Sequence, residues 1–170
     1  MKLELKKIKV FERSSEETTC FHAVLYVDGK LAAACSNNGK GGMTDVSFHN
    51  SAIKNEIEKY CIQNPVVNVF NGKTIAFHGV DVRVDELLIE YQMKKTLQKR
   101  QKTAFVLHDN KKQDSPYVIH SLLEMNFPMY IMMENKKNRS VLRQQIKLFR
   151  EKGYTVMNTN IDYKRLDSND

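Results

Sequence analysis

The chain has 170 residues, 41% hydrophobic and 28% charged, with a formal net charge of +7. That balance is too apolar for a disordered segment, and the length is enough to bury a core without a disulfide or metal staple. No apolar run approaches the ~20 residues of a membrane span, and the interleaved charges of residues 1–7 do not form a signal peptide, so a cytoplasmic protein is expected.

Three cysteines, Cys20, Cys35 and Cys61, stand far apart. Their odd number and the absence of a CxxC pair argue for reduced thiols rather than a disulfide framework or zinc ribbon. The charge is unevenly spread. Residues 1–93 carry 11 basic and 12 acidic side chains, whereas residues 94–170 carry 16 basic and 8 acidic. A positive field confined to one half favours acidic or polyanionic partners.

In chain order, residues 3–11 read as a strand whose apolar alternation slips phase between Leu5 and Ile8, as a bulge would produce. A polar connector over residues 13–18 follows. Residues 20–27 alternate again, and Asp28-Gly29 joins them to residues 30–36. Asp-Gly between two alternating runs is a strong hairpin signal, because both turn positions favour positive φ. With a two-residue turn, His22 is expected to face Cys35, and Val24 to face Ala33. Residues 46–49 fit a third antiparallel strand after the loop Asn37-Asn38-Gly39-Lys40-Gly41-Gly42.

A helix is expected over residues 51–62, capped by Asn50 or Ser51, with Ile53, Ile57, Tyr60 and Cys61 as its apolar stripe. After Pro65, residues 66–70 and 74–77 form an extended pair around Asn71-Gly72, or else an irregular loop. A long helix is expected over residues 82–102, with cations gathered in its last turns. Residues 104–108 and 116–121 read as strands flanking a loop. Residues 127–134 lean towards a helix, since Met129, Met132 and Met133 recur at helical spacing, although Tyr130-Ile131 would also suit a buried strand. A helix capped by Asn138 or Ser140 then ends at Gly153, and residues 154–158 form a strand. The fold class is α+β: an N-terminal antiparallel meander, C-terminal helices and a small β-α-β element. Residues 1–163 read as a single domain and residues 164–170 as a polar, frayed tail.

The segments Ser15-Glu16-Glu17-Thr18-Thr19-Cys20-Phe21, Asp28-Gly29-Lys30 and Asn37-Asn38-Gly39-Lys40-Gly41-Gly42, with the closing Asn158-Thr159-Asn160, carry a resemblance. The chain resembles a family of small uncharacterised proteins carried by bacteriophages and by gut bacteria with integrated phage or mobile DNA. The resemblance covers the first 45 residues and the last 30 and is loose between them. The family loop often has Asp and His where this chain has Asn38 and Lys40. It implies an accessory protein of phage or mobile-element origin in a bacterial cytoplasm, and brings no established activity.

The sharpest candidate site is the loop of Asn38, Gly39, Lys40, Gly41 and Gly42. Successive glycines can turn backbone N–H groups into an anion-binding nest, and Lys40 would add a compact positive charge. It is neither a P-loop nor a dinucleotide fingerprint, because no Gly-Lys-Ser/Thr opens a helix and the preceding strand belongs to an antiparallel hairpin. A bulged turn is the plainer reading. The second candidate is basic charge on the two C-terminal helices, represented by Lys95, Lys99, Arg139 and Arg143. A His22–Cys35 pair, the carboxylates Glu16 and Glu17, and the scattered histidines show neither an orienting third group nor metal-ligand spacing. No catalytic residue, metal or cofactor is assigned. The expected function is non-enzymatic binding of an anionic ligand, nucleic acid or nucleotide. The alternatives are a protein-interaction factor that inhibits a host defence protein and, last, a phosphate- or nucleotide-processing enzyme.

Overall fold

A computed structural model describes residues 1–70, 73–110, 118–121 and 129–167; for residues 69, 70, 118–121 and 130 only the backbone is described. The chain divides into two compact units, Met1–Gln92 and Met93–Asp170, each with its own apolar core, where the sequence reads as a single domain. Among the described residues no helix is long and apolar enough to cross a membrane.

The first unit is built on a four-stranded antiparallel meander, β1 (Leu3–Val10), β2 (Phe21–Val27), β3 (Lys30–Asn37) and β4 (Asp45–Phe48), paired in that order. The phase slip in β1 is a bulge: the register shifts between Lys6 and Lys9, and Lys7 takes φ 52°. The β2–β3 turn also forms as expected, with Asp28 at φ 47° and Gly29 at φ 81°. A second irregularity, invisible in the residue pattern, shifts the hairpin register between Leu25 and Tyr26. It turns two consecutive side chains, Ala32 and Ala33, into the core. In consequence Cys35 stands opposite Ala23, and His22 opposite Ser36. The expected His22–Cys35 and Val24–Ala33 pairs are therefore corrected.

One face of this sheet, carrying Phe21, Ala23, Leu25 and Cys35, is covered by α1 (Ser51–Gln63) and the first half of α2 (Val80–Arg100). Ile57 and Cys61 from α1, with Val84 and Leu88 from α2, complete the core. Asn50 caps α1, its side chain accepting the Ala52 N–H at 2.7 Å. Between the helices, β5 (Val66–Phe70) and β6 (Lys73–Phe77) pair antiparallel as a separate hairpin, whose expected Asn71-Gly72 tip lies outside the described residues. The helix α2 starts two residues earlier than the sequence suggests, with Asp81 in its first turn complementing the helix dipole.

The second unit holds a three-stranded antiparallel sheet in the order β8–β7–β9, from β7 (Ala104–Asp109), β8 (Val118–Ser121) and β9 (Tyr154–Val156). Residues 111–117 of the expected loop and strand lie outside the described residues. The strand–helix–strand order is present, but β9 runs antiparallel to β7, so the expected β-α-β element is not a parallel crossover unit. Met129–Glu134 is helical (α3), so the methionine spacing is the feature that decides this segment. Met129, Met132 and Met133 pack with Phe105, Leu142, Ile146 and Phe149, and the Phe105 and Phe149 rings meet edge to face at 5.1 Å.

Two expectations in this unit are corrected. The helix α4 (Lys136–Glu151) is capped by Asn135, which accepts the Asn138 N–H at 2.9 Å; Asn138 donates instead to the Ile131 carbonyl. Residues 164–167 are not a frayed tail, because Tyr163–Asp167 forms a short helix, α5, that buries Leu166 in the core. One apolar residue at the right phase is enough to hold a polar segment down. Gly153, at φ 88°, ends α4 as expected.

Candidate functional site

The glycine loop is built by the end of β3. Asn37 is 9% exposed, and its amide works in both directions. Its Oδ1 accepts from Thr18 Oγ1 and from the Gly39 N–H, both at 2.8 Å. Its Nδ2 donates to the Gly42 carbonyl at 2.9 Å and to Thr44 Oγ1 at 3.4 Å. The Lys40 N–H donates to Asn38 Oδ1, and the Gly41 N–H to Thr18 Oγ1. The amides of residues 39, 40 and 41, the donors an anion nest requires, are thus each matched to a side-chain oxygen of the chain itself.

A true convergence of N–H groups exists next to the loop, and it is filled. The amides of Glu16, Glu17 and Thr18 all close on the Gly39 carbonyl, at 3.0, 2.9 and 3.3 Å. Gly39 is buried at φ 85°, and a Cβ there would lie 2.1 Å from the Ser14 carbonyl oxygen. At Gly41 a Cβ would lie 2.2 Å from Glu17 Oε2. An anion approaching Lys40 on this rim would meet the Glu17 carboxylate beside it. The two motif segments, residues 15–21 and 37–42, therefore meet as one clasp.

The clasp continues inward. Thr44, 5% exposed, donates from Oγ1 to Asp85 Oδ1 of α2 at 2.5 Å. Burial pushes the Asp85 carboxyl above its ordinary range, partly opposed by the Thr44 hydrogen bond. The sequence places Asn37 in the glycine loop and Thr18 in the segment before β2 but does not join them, and it gives no sign of Thr44 or Asp85. A threonine and an aspartate 41 positions apart give no spacing signal, although an asparagine ending a strand before glycines is a plausible flag for a loop-organising amide. Burial drives the Cys35 thiol up to about 12 and raises that of Cys61, so neither is primed as a nucleophile. Among the described residues no three His, Cys, Asp or Glu side chains converge to hold a metal ion.

The four basic candidates separate into two kinds. Lys95 and Lys99 are exposed one turn apart on α2, alongside exposed Lys94, Arg100 and Lys102. Arg139 is only 7% exposed, and its Nη1 donates to the carbonyls of Met133 and Glu134, closing the C-terminal end of α3. Arg143 is half-buried, and its Nε donates to the Leu166 carbonyl at 3.1 Å, with Nη2 on the same oxygen. Neither arginine is the peripheral surface charge that the sequence suggests. Other cations of α4, Lys136, Lys137, Lys147 and Arg150, are exposed.

The closing Asn158-Thr159-Asn160 is also structural. Asn158, 3% exposed, bonds the backbone of β7, while Thr159 and Asn160 bond the side chain and carbonyl of Gln101. No protein-family model, no curated protein and no solved structure matches the chain.

Proposed function

We propose that this chain is a non-enzymatic accessory protein of phage or mobile-element origin, acting in a bacterial cytoplasm, that binds nucleic acid through the lysine-rich surface of its second unit. One observation carries the reading. The break in charge along the sequence coincides with the boundary between the two units. Residues 94–170 hold 16 basic against 8 acidic side chains, and the second unit begins at Met93. A nearly neutral unit joined to a strongly basic one concentrates the attractive field on one body.

The ligand class follows from the donors. The exposed cations of the last turns of α2 are lysines and one arginine, with Lys95 and Lys99 sharing one face at i, i+4 spacing, and point charges of this kind suit a phosphate backbone rather than base edges. The glycine loop, with its amides matched internally, is not the ligand's cradle in this reading. The remaining free thiols suit a reducing compartment.

The test is affinity for a mixed-sequence DNA duplex as a function of salt. The wild type is expected to lose affinity linearly in log–log coordinates. Lys95→Glu with Lys99→Glu should flatten the slope by about 2, since each phosphate contact contributes roughly 0.9. Affinity that ignores both salt and the double charge reversal would sink the proposal.

A further inference from the structure

The two edges of the meander are guarded, and the hairpin of β5 and β6 is not. At one edge of the meander, β1 carries Lys6, Lys7 and Lys9 and is bent by the bulge at Lys7. At the other, β4 is four residues long and opens with Asp45. Charge, a bulge and shortness all keep a strand edge from pairing with another chain. None of them protects β6. Its five pairs with β5, from Val66–Phe77 to Phe70–Lys73, run without a register shift. Among the described residues neither strand pairs with a third. All five residues of β6 are exposed, so both faces of the strand are clear as well as its outer edge. A two-stranded ribbon is marginal by itself in water, and further strands or a packed face make it stable. Here Val67 is 54% and Ile75 42% exposed, and Phe77 is exposed too.

The composition of the segment indicates what covers it. Residues 60–80 hold one charged side chain, Lys73, in a chain that is 28% charged. A basic partner segment would find no carboxylate on either strand, and an acidic one would find a single lysine. A second β6 meets no such mismatch. Antiparallel self-pairing centred on Ile75 is the one register that uses all five residues of the strand. It sets Ile75 against Ile75 of the second copy, Thr74 against Ala76, and Lys73 against Phe77. The two lysines then stand at opposite ends, each beside an aromatic ring rather than beside the other. Ile75 and Phe77 of both copies, at alternate positions, share one face.

We propose that two copies of the chain pair through β6 about a two-fold axis at Ile75, joining their hairpins into one four-stranded sheet in the order β5–β6–β6–β5. The contact is isologous and therefore closes at two copies. The outer β5 edges end the sheet, because Val66 is buried and Pro65 ahead of it has no N–H to give. The pairing uses none of the lysines of the second unit, so it stands or falls apart from the nucleic-acid reading.

The test sediments the full chain over a range of concentrations up to submillimolar. The wild type is expected to pass from monomer to dimer mass as concentration rises. Ile75→Lys replaces an exposed side chain and sets two ammonium groups face to face at the axis; it should keep the far-ultraviolet spectrum and remain monomeric. Ile75→Cys tests the register without added charge. Its two copies meet within disulfide reach, so mild oxidation should give a dimer that reductant dissolves. Lys73→Cys, whose copies lie at opposite ends, should not cross-link, and neither should the wild type. Three results would overturn the proposal: a wild type that stays monomeric throughout, a dimer that survives Ile75→Lys, or a cross-linking yield at residue 75 no higher than at residue 73.

Discussion

The side chain of Asn158 takes the place of a strand beside Val106. Its Oδ1 accepts the Val106 N–H at 2.8 Å, and its Nδ2 donates to the Ala104 carbonyl at 2.9 Å. The strand β9 stops at Val156, the Met157 N–H still reaches the Val106 carbonyl, and the amide of Asn158 then carries the pairing further along β7. Along the edge it turns to β7, a planar side-chain amide presents an N–H and a carbonyl oxygen, the same pair a peptide unit offers, and its second N–H remains for the turn that follows.

Replacing Asn158 with alanine removes both partners and leaves a buried N–H and a buried carbonyl facing nothing. The expected loss is about 2 kcal/mol, within the cost of leaving such groups unsatisfied. It should be read as a lower urea midpoint at unchanged slope. Asn158→Asp keeps the acceptor but turns the donor into a second acceptor against the Ala104 carbonyl, and should be at least as damaging. An Asn158→Ala variant with the wild-type midpoint would show that water replaces the amide at no cost.

The contrast between the two glycines of the clasp gives a second prediction. Both hold positive φ, which costs an L-residue roughly 1–2 kcal/mol. At Gly39 the new Cβ also meets backbone, the Ser14 carbonyl, which cannot swing away. At Gly41 it meets the end of the Glu17 side chain, which can. Gly39→Ala should therefore destabilise by about 3 kcal/mol or more and Gly41→Ala by about 1 kcal/mol. Adding Glu17→Ala should recover part of the second loss and none of the first, as measured by thermal midpoints of the four variants.

The same clasp shows what the residue pattern could and could not convey. The meander, the Asp28-Gly29 turn, the bulge near Lys7 and the helix at Met129 were legible because each is a local matter of alternation, turn chemistry or periodicity. The bulge at Ala32 was not, because a run of three alanines looks the same in either register, and that one residue moved His22 away from Cys35. Arg139 and Arg143 were misread for a related reason. An arginine reaching a helix-end carbonyl and an arginine facing water have the same sequence context; the difference depends on where α3 and α5 end. Polar residues that complete a backbone, such as Asn37, Thr44 and Asn158, carry no periodic signal at all.

Arginine and lysine on the two C-terminal helices should accordingly respond differently to truncation. Arg139→Ala opens the two carbonyls at the end of α3 and should cost about 1–3 kcal/mol. Lys95→Ala and Lys99→Ala alter exposed positions and should stay within about 0.5 kcal/mol of the wild type. Affinity for duplex DNA should follow the opposite order once the folded fraction is taken into account, falling for the lysine variants and holding for Arg139→Ala. A stability-corrected loss at Arg139 matching that at the lysines would mean that the buried guanidinium contributes to the field after all.

Asp85 links the clasp to pH. Its carboxyl is half-buried, and desolvation raises its pKa above the ordinary value of 3.8, so the folded state holds the proton more tightly than the unfolded chain does. The sign follows from linkage. Above the folded-state pKa the buried charge costs stability, and the cost disappears as pH falls through that pKa towards the unfolded value. Asp85→Asn removes the charge and retains an oxygen to accept from Thr44 Oγ1. The variant should therefore exceed the wild type in stability at neutral pH, with the difference closing as the pH drops towards 3.8. Urea midpoints of both proteins across that range measure it. A difference that stays constant with pH would place the gain in packing or in the unfolded chain, and a variant weaker at neutral pH would mean that the ionised carboxylate holds Thr44 and the clasp better than a neutral amide can.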